Sequence, residues 1–150
     1  MTTEEYNNKL RILIVLLPKL FKNLLSQLSI KYKEDSLNTN QSMTLLCLTD
    51  HNPATMGELY NHSRLTKGAL TQIIDNLEQK DLIQRSRNDK DRRTVYVSLK
   101  DEGLKLGKEI EKGLLTQLSI GLAKLDKAEQ QKLETSLNSV TEILEKMEKE

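Results

Sequence analysis

The sequence predicts a mainly α fold with one small β-hairpin wing, and three patterns of spacing predict it. Leu70, Ile73, Ile74 and Leu77 fall at i, i+3, i+4 and i+7, an apolar stripe on a helix, while Lys67, Gly68, Thr71, Gln72 and Asp75 lie off that stripe. Directly after it, Leu82-Ile83 and the alternating Arg85-Ser86-Arg87 read as a short strand, residues 88–93 as a polar loop, and Thr94-Val95-Tyr96-Val97-Ser98-Leu99 as the returning strand. Near the chain end, Leu133, Leu137, Val140, Leu144 and Met147 recur at alternating four- and three-residue steps, a heptad-like seam that requires a second helix to cover it.

Taken in order, Thr2 and Glu5 have capping-box spacing and start a helix expected to reach about Leu28. Pro18 should kink it, because the ring removes a backbone donor and clashes with the preceding turn. Its apolar residues, including Leu13, Leu17, Leu20, Leu24 and Leu28, spread over more than one stripe. That suits a helix packed on its own domain on one side and on a partner subunit on the other. A membrane-surface helix is the competing reading, disfavoured by the absence of Trp and the scattered basic residues. Thr39 or Asn40 is expected to cap a second helix that ends before Asn52-Pro53, and Thr55 with Glu58 boxes a short third helix to about His62. After the turn His62-Ser63-Arg64-Leu65, Thr66 is the natural N-cap of the striped helix. This is helix-turn-helix spacing, although an ordinary helical hairpin shares it. The basic hairpin that follows favours a DNA reader. Beyond it, Asp101 is placed to cap a helix through Leu104, Ile110, Leu114 and Leu118, weakened by Gly103, Gly107 and Gly113, and Asp126 with Glu129 boxes the last helix. The expected organisation is a reader over residues 39–99 and a helical dimerisation region from residues 1–38 and 100–150, intertwined as one domain.

Composition bounds the function classes. A 150-residue chain with 30% charged and 3% aromatic residues suits a helical, surface-rich protein. The net charge of +1 does not by itself suggest nucleic acid, yet residues 64–93 hold eight Lys/Arg against five Asp/Glu, so positive charge is segregated to the reader. A single cysteine excludes an internal disulfide, and Cys47 in the apolar run Leu45-Leu46-Cys47-Leu48 is expected to be a buried, reduced thiol. With no basic neighbour within four residues, redox sensing through it is disfavoured. The apolar run from Ile12 to Leu17 is too short to span a bilayer, and Glu4-Glu5 spoils a secretion signal, so a cytoplasmic protein without a membrane partner is expected.

With Met56-Gly57-Glu58-Leu59 before the striped helix, Leu77-Glu78-Gln79-Lys80 at its end and Asp91-Arg92-Arg93 at the hairpin tip, the stretch from about Thr39 to Gly103 resembles the winged helix-turn-helix of the MarR (multiple-antibiotic-resistance regulator) family. Three positions depart from that pattern: Tyr60 replaces a usual Ala, Asp81 a usual Gly and Lys100 a usual Thr. Asp tolerates the left-handed conformation better than most residues, so Asp81 is a mild departure, whereas Tyr60 bears on packing between the two helices of the motif. The resemblance implies a homodimer built from both chain ends and a sequence-specific transcriptional regulator of a pseudo-palindromic duplex operator, repressor rather than activator. It also implies release by a small, often aromatic or anionic effector bound between the helical region and the reader.

Side-chain chemistry assigns the contacts. Gln72 carries the amide that pairs bidentately with adenine, Lys67 reaches a guanine edge or a phosphate, Thr71 a phosphate or a thymine methyl, and Gly68 has no side chain to hold the backbone away. At the tip the family pattern sends Arg93 into the minor groove with Asp91 restraining its guanidinium, and leaves Lys90 and Arg92 for phosphates. Arg85 and Arg87 share one side of their strand and are expected to assist at the backbone. The plainer alternative for the tip is a solvated charge cluster. No Gly-rich phosphate loop, Gly-x-Ser-x-Gly, His-Glu-x-x-His or cysteine cluster occurs, so no catalysis and no cofactor are expected. His51 and His62 stand alone in the sequence and read as surface or turn residues rather than metal ligands. The rival classes are a winged-helix protein-interaction module and a non-specific architectural DNA binder.

Overall fold

A computed structural model of the chain describes residues 4, 7, 10–87, 91 and 93–147. It begins, beyond the isolated helical positions, with a π-helical turn at Ile12–Leu16 that leads into α1, Leu17–Gln27. Pro18 sits in the first turn of α1, directly after the π turn, and its ring has no N–H to give to a carbonyl of that preceding turn. The disturbance expected as a kink inside one helix therefore takes the form of a π turn just ahead of it. The expected capping box at Thr2 lies outside the described residues. Leu28 ends α1 in an extended conformation, its N–H donating to the Leu25 carbonyl at 3.1 Å.

A short hairpin that the sequence pattern does not announce comes next: β1, Lys31–Tyr32, pairs antiparallel with β2, Asp35–Ser36, and Lys33 in the turn takes φ 57°. Two-residue strands are too short to display an alternating apolar face. Then α2, Thr39–Asp50, starts one residue earlier than expected, because Asn38 is the cap. The Gln41 N–H donates to Asn38 Oδ1 and the Asn38 N–H to Gln41 Oε1, both at 2.9 Å, a reciprocal box that neither Thr39 nor Asn40 could form with that Gln.

After the cis Asn52-Pro53 bond, β3, Ala54–Thr55, leads into α3, Met56–Ser63, whose predicted Thr55/Glu58 box is complete. Arg64 turns the chain in the left-handed region at φ 51°, and Thr66 caps α4, Lys67–Gln79. Asp81, at φ 63°, adopts the left-handed conformation expected of a residue standing in for Gly. The wing follows as β4, Ile83–Arg87, antiparallel to β5, Val95–Leu99, with β3 on the far edge of β5 as a third strand beyond the two predicted. Next, α5, Asp101–Leu122, begins at Asp101 itself, so Asp101 and Glu102 are first-turn acids facing the positive end of the helix dipole rather than a cap. Asp126 and Glu129 exchange backbone bonds of 2.8 and 3.0 Å ahead of α6, Lys127–Met147, as predicted.

The chain divides into two compact units, one ending at Leu114 and the other starting at Leu115. In the first, the predicted stripe of Leu70, Ile73, Ile74 and Leu77 joins Leu45, Leu48, Leu59, Ile83, Val97 and Ile110 in one buried cluster. Close approach, not helix weakness, explains two glycines of α5: a Cβ on Gly103 would lie 2.0 Å from the Leu82 carbonyl oxygen, and one on Gly107 would lie 2.3 Å from Thr49 Oγ1. By contrast, Ile14, Leu17 and Leu20 are exposed around the start of α1, and in the second unit α6 has no buried residue at all, with Leu137, Ile143, Leu144 and Met147 open to solvent. Among the described residues, no helix is long and apolar enough to cross a membrane.

Candidate nucleic-acid interface

The stripe that buries α4 fixes which of its residues face outward. Thr66 Oγ1 accepts the Ala69 N–H at 3.2 Å, so the first turn of α4 starts cleanly at Lys67. With one side of the helix in the core, Lys67, Gly68, Thr71 and Gln72 are all exposed along the other. The sequence assigned these four to one face, and the structure brings them together there. A Cβ on Gly68 would meet nothing within 4 Å, so internal packing does not demand a glycine at this position. The Thr71 hydroxyl already donates to the Lys67 carbonyl at 2.9 Å, which leaves its oxygen able to accept a hydrogen bond. Lys67 Nζ stands 5.7 Å from the centroid of the Tyr60 ring on α3, a cation–π contact.

Beside α4 stands the wing, and Arg85 joins the two. Its guanidinium pairs with the Asp75 carboxylate, lies 3.6 Å from Glu78, and its backbone N–H donates to Glu78 Oε1 at 3.0 Å. Asp75 and Glu78 both belong to α4, so the residue expected to assist at a nucleic-acid backbone also bolts the wing to the helix. Arg87, two residues on, is exposed. Asp91 holds the start of the returning segment, its Oδ1 accepting the Arg93 N–H and its Oδ2 the Thr94 hydroxyl, each at 3.0 Å, and among the described residues it meets the Arg93 backbone rather than its guanidinium. Arg93 is exposed. Lys90 and Arg92 lie outside the described residues.

Charge pairs also secure the far end of α4. Lys80 pairs with Asp35 on β2, and Lys100 with Asp81, and each lysine holds its partner carboxyl below the usual carboxylate range through a direct hydrogen bond and its charge. Sequence reasoning missed the first of these with the hairpin that carries Asp35. It also missed that Tyr60 meets Lys67; the signal was its departure from the family pattern.

Three further residues of the sequence analysis take definite positions. Cys47 is half-buried beside a small cavity of about 60 Å³ that Met43, Leu59, Leu65 and Leu70 help to line. Burial first, and the Asp50 charge second, push its thiol up from the ordinary value. His51 and His62 do not stand alone in space: their rings stack with centroids 5.9 Å apart. Among the described residues, no group of three metal-ligating side chains comes together.

Comparison with known proteins agrees with this arrangement. The model of the MarR family matches residues 37–95. The organic hydroperoxide resistance transcriptional regulator of Bacillus subtilis is 31% identical over 127 residues, which cover 84% of this chain and 80% of that protein. The HTH-type transcriptional repressor MdtR of the same organism is 32% identical over 87 residues, 58% of this chain and 56% of the repressor. Among solved structures, apo MarR from Escherichia coli superposes with a TM-score of 0.70 at 26% identity, covering 85% of this chain and 93% of that one. FabT of Streptococcus pneumoniae, solved in complex with DNA, shares the fold at a TM-score of 0.62 and 18% identity, covering 97% and 99%. The chain belongs to the MarR family of winged helix-turn-helix transcriptional regulators.

Proposed function

We propose that this regulator is a sequence-specific repressor that binds a pseudo-palindromic duplex operator as a homodimer, with one α4 entering the major groove of each half-site. The observation that carries the reading is the outward face of α4: Lys67, Gly68, Thr71 and Gln72 in one line, beside a wing that presents Arg87 and Arg93. In this arrangement Gln72 reads an adenine edge, Lys67 a guanine edge or phosphate, and Arg93 the minor groove, while Lys90 and Arg92 neutralise phosphates. Arg85 supports the contact by fixing the wing against α4.

The dimer reading rests on apolar surface. The exposed Ile14, Leu17 and Leu20 near the start of the chain and the uncovered seam of α6 near its end supply the two helical contributions, from residues 1–38 and 100–150. Two recognition helices must lie about one duplex turn apart, roughly 34 Å, to enter successive major grooves. A small organic effector that shifts the helices carrying them therefore lowers affinity, and this is the release we propose. One relative carries hydroperoxide resistance in its name. In this chain the single cysteine is half-buried with a raised thiol pKa, a poor thiolate, which favours the ligand route over oxidation.

A fluorescence titration of labelled duplex tests the reading. Binding should fall steeply with salt, and random competitor duplex should fail to displace the operator. A protein that ignores salt is an interaction module, and one displaced equally by any duplex is an architectural binder.

A further inference from the structure

We propose that Tyr60 is a positioning residue for the DNA contact: its ring holds the Lys67 ammonium at the entrance of the cleft between α3 and α4, so that Lys67 meets a phosphate of the duplex in a fixed place. The inference rests on the DNA-binding reading above and adds to it a residue on the first helix of the motif.

Three observations carry it. Lys67 Nζ lies 5.7 Å from the ring centroid of Tyr60, within the range where the negative ring face attracts a cation. Tyr60 is 37% exposed, and its hydroxyl has no protein partner among the described residues, so neither core packing nor a buried hydrogen bond explains an aromatic side chain there. The placement of Lys67 is the third. It is the first residue of α4, and no acidic residue accompanies it in that turn. A cation at the positive end of the helix dipole opposes helix stability. The Tyr60 ring face, not a carboxylate of that turn, is what meets this charge, and a cation kept at an unfavourable end of a helix points to a functional position.

Tyr60 and Lys67 line one open cleft with Met56, Gly57, Asn61 and Thr71, and among the described residues no carboxylate lines it. An ammonium held against a ring face keeps its outward N–H groups for an acceptor while losing some of the freedom of its four-carbon stem. That loss is otherwise charged against binding when a flexible lysine is immobilised. Thr71 of the exposed face of α4 lines the same cleft, so the acceptor that fits is a phosphodiester oxygen of the strand flanking the bases read by Gln72.

The test is a double-mutant cycle on the full chain, measured as operator affinity at low and at moderate salt, with circular dichroism to confirm folding. Tyr60→Ala and Tyr60→Leu should each weaken binding roughly two- to five-fold, Tyr60→Phe should bind like the wild type because the ring face is kept, and in a Lys67→Ala background Tyr60→Ala should cost nothing further. Rescue by Phe but not by Leu separates a ring-face effect from filling of space. Wild-type affinity in Tyr60→Ala, or an equal loss with and without Lys67, overturns the inference while leaving the DNA reading in place. A wild-type protein that binds no duplex overturns both.

Discussion

Gly68 and Gly103 are chemically the same residue under opposite constraints, and the difference separates function from folding. Gly103 is needed inside: a methyl there meets the Leu82 carbonyl at 2.0 Å, so Gly103→Ala should cost about 1–3 kcal/mol through overpacking even though Ala is the better helix former by about 1 kcal/mol. Gly68 has open space around it, so Gly68→Ala should fold at least as stably as the wild type and yet bind operator more weakly if α4 approaches the bases closely. Denaturant melts and duplex titrations of the two variants check the pair, and equal operator binding by Gly68→Ala would remove that position from the interface. Arg85 and Arg87 offer a second contrast. With its guanidinium held by Asp75 and Glu78, Arg85 acts through the wing, so Arg85→Ala should lower affinity with little change in salt slope, whereas Arg87→Ala should reduce the slope by about one unit. Identical slope changes would make both of them phosphate contacts. The sequence displayed Arg85 only as a basic residue on a strand. Its carboxylate partners sit seven and ten positions away on another element, beyond the reach of any local spacing rule.

Elements that announce themselves by a side-chain period or a reciprocal cap were legible. The stripe of α4 and the Thr55/Glu58 and Asp126/Glu129 boxes follow from local rules and occur where those rules put them, and the left-handed Asp81 follows from the family pattern, which has Gly there. Elements that depend on pairing across the chain were not. The β1–β2 hairpin has two residues per strand, and β3 is a strand only because Ala54 and Thr55 meet Val97 and Tyr96. The start of α2 was misplaced by one residue because several polar residues in a row could serve as cap, and only the match with Gln41 selects Asn38. The Thr55/Glu58 box also predicts a pH dependence. The Thr55 backbone N–H, then its hydroxyl, hold the Glu58 carboxyl below its ordinary value of 4.5. A carboxyl with a depressed folded pKa contributes stability that is present above its unfolded value and lost as pH falls through the folded one. The difference in melting temperature between wild type and Glu58→Gln should therefore be full at neutral pH and shrink below about pH 4.5. A difference that stays constant into acid would show that the charge of the box is irrelevant.

At the scale of the whole molecule, the chain leaves apolar surface uncovered around the start of α1 and along α6 while it buries one face of the recognition helix completely. A reader whose polar face is finished and helices whose apolar faces are exposed fit the homodimer proposed above, and under that proposal the regulator's response is a change in the assembly rather than in the core. Peroxide should leave operator binding intact in both wild type and Cys47→Ser, because the thiol is half-buried and its pKa is raised. Release that depends on Cys47 would replace the ligand-sensor reading with a redox one. The central claim, that two copies of α4 read successive major grooves, is tested most directly by selecting bound sequences from a random duplex pool. The account predicts enrichment of an inverted repeat whose half-sites are centred about 10 base pairs apart, with Gln72→Ala relaxing preference at one symmetric pair of positions; enrichment of an unrepeated sequence, or of none, would contradict it.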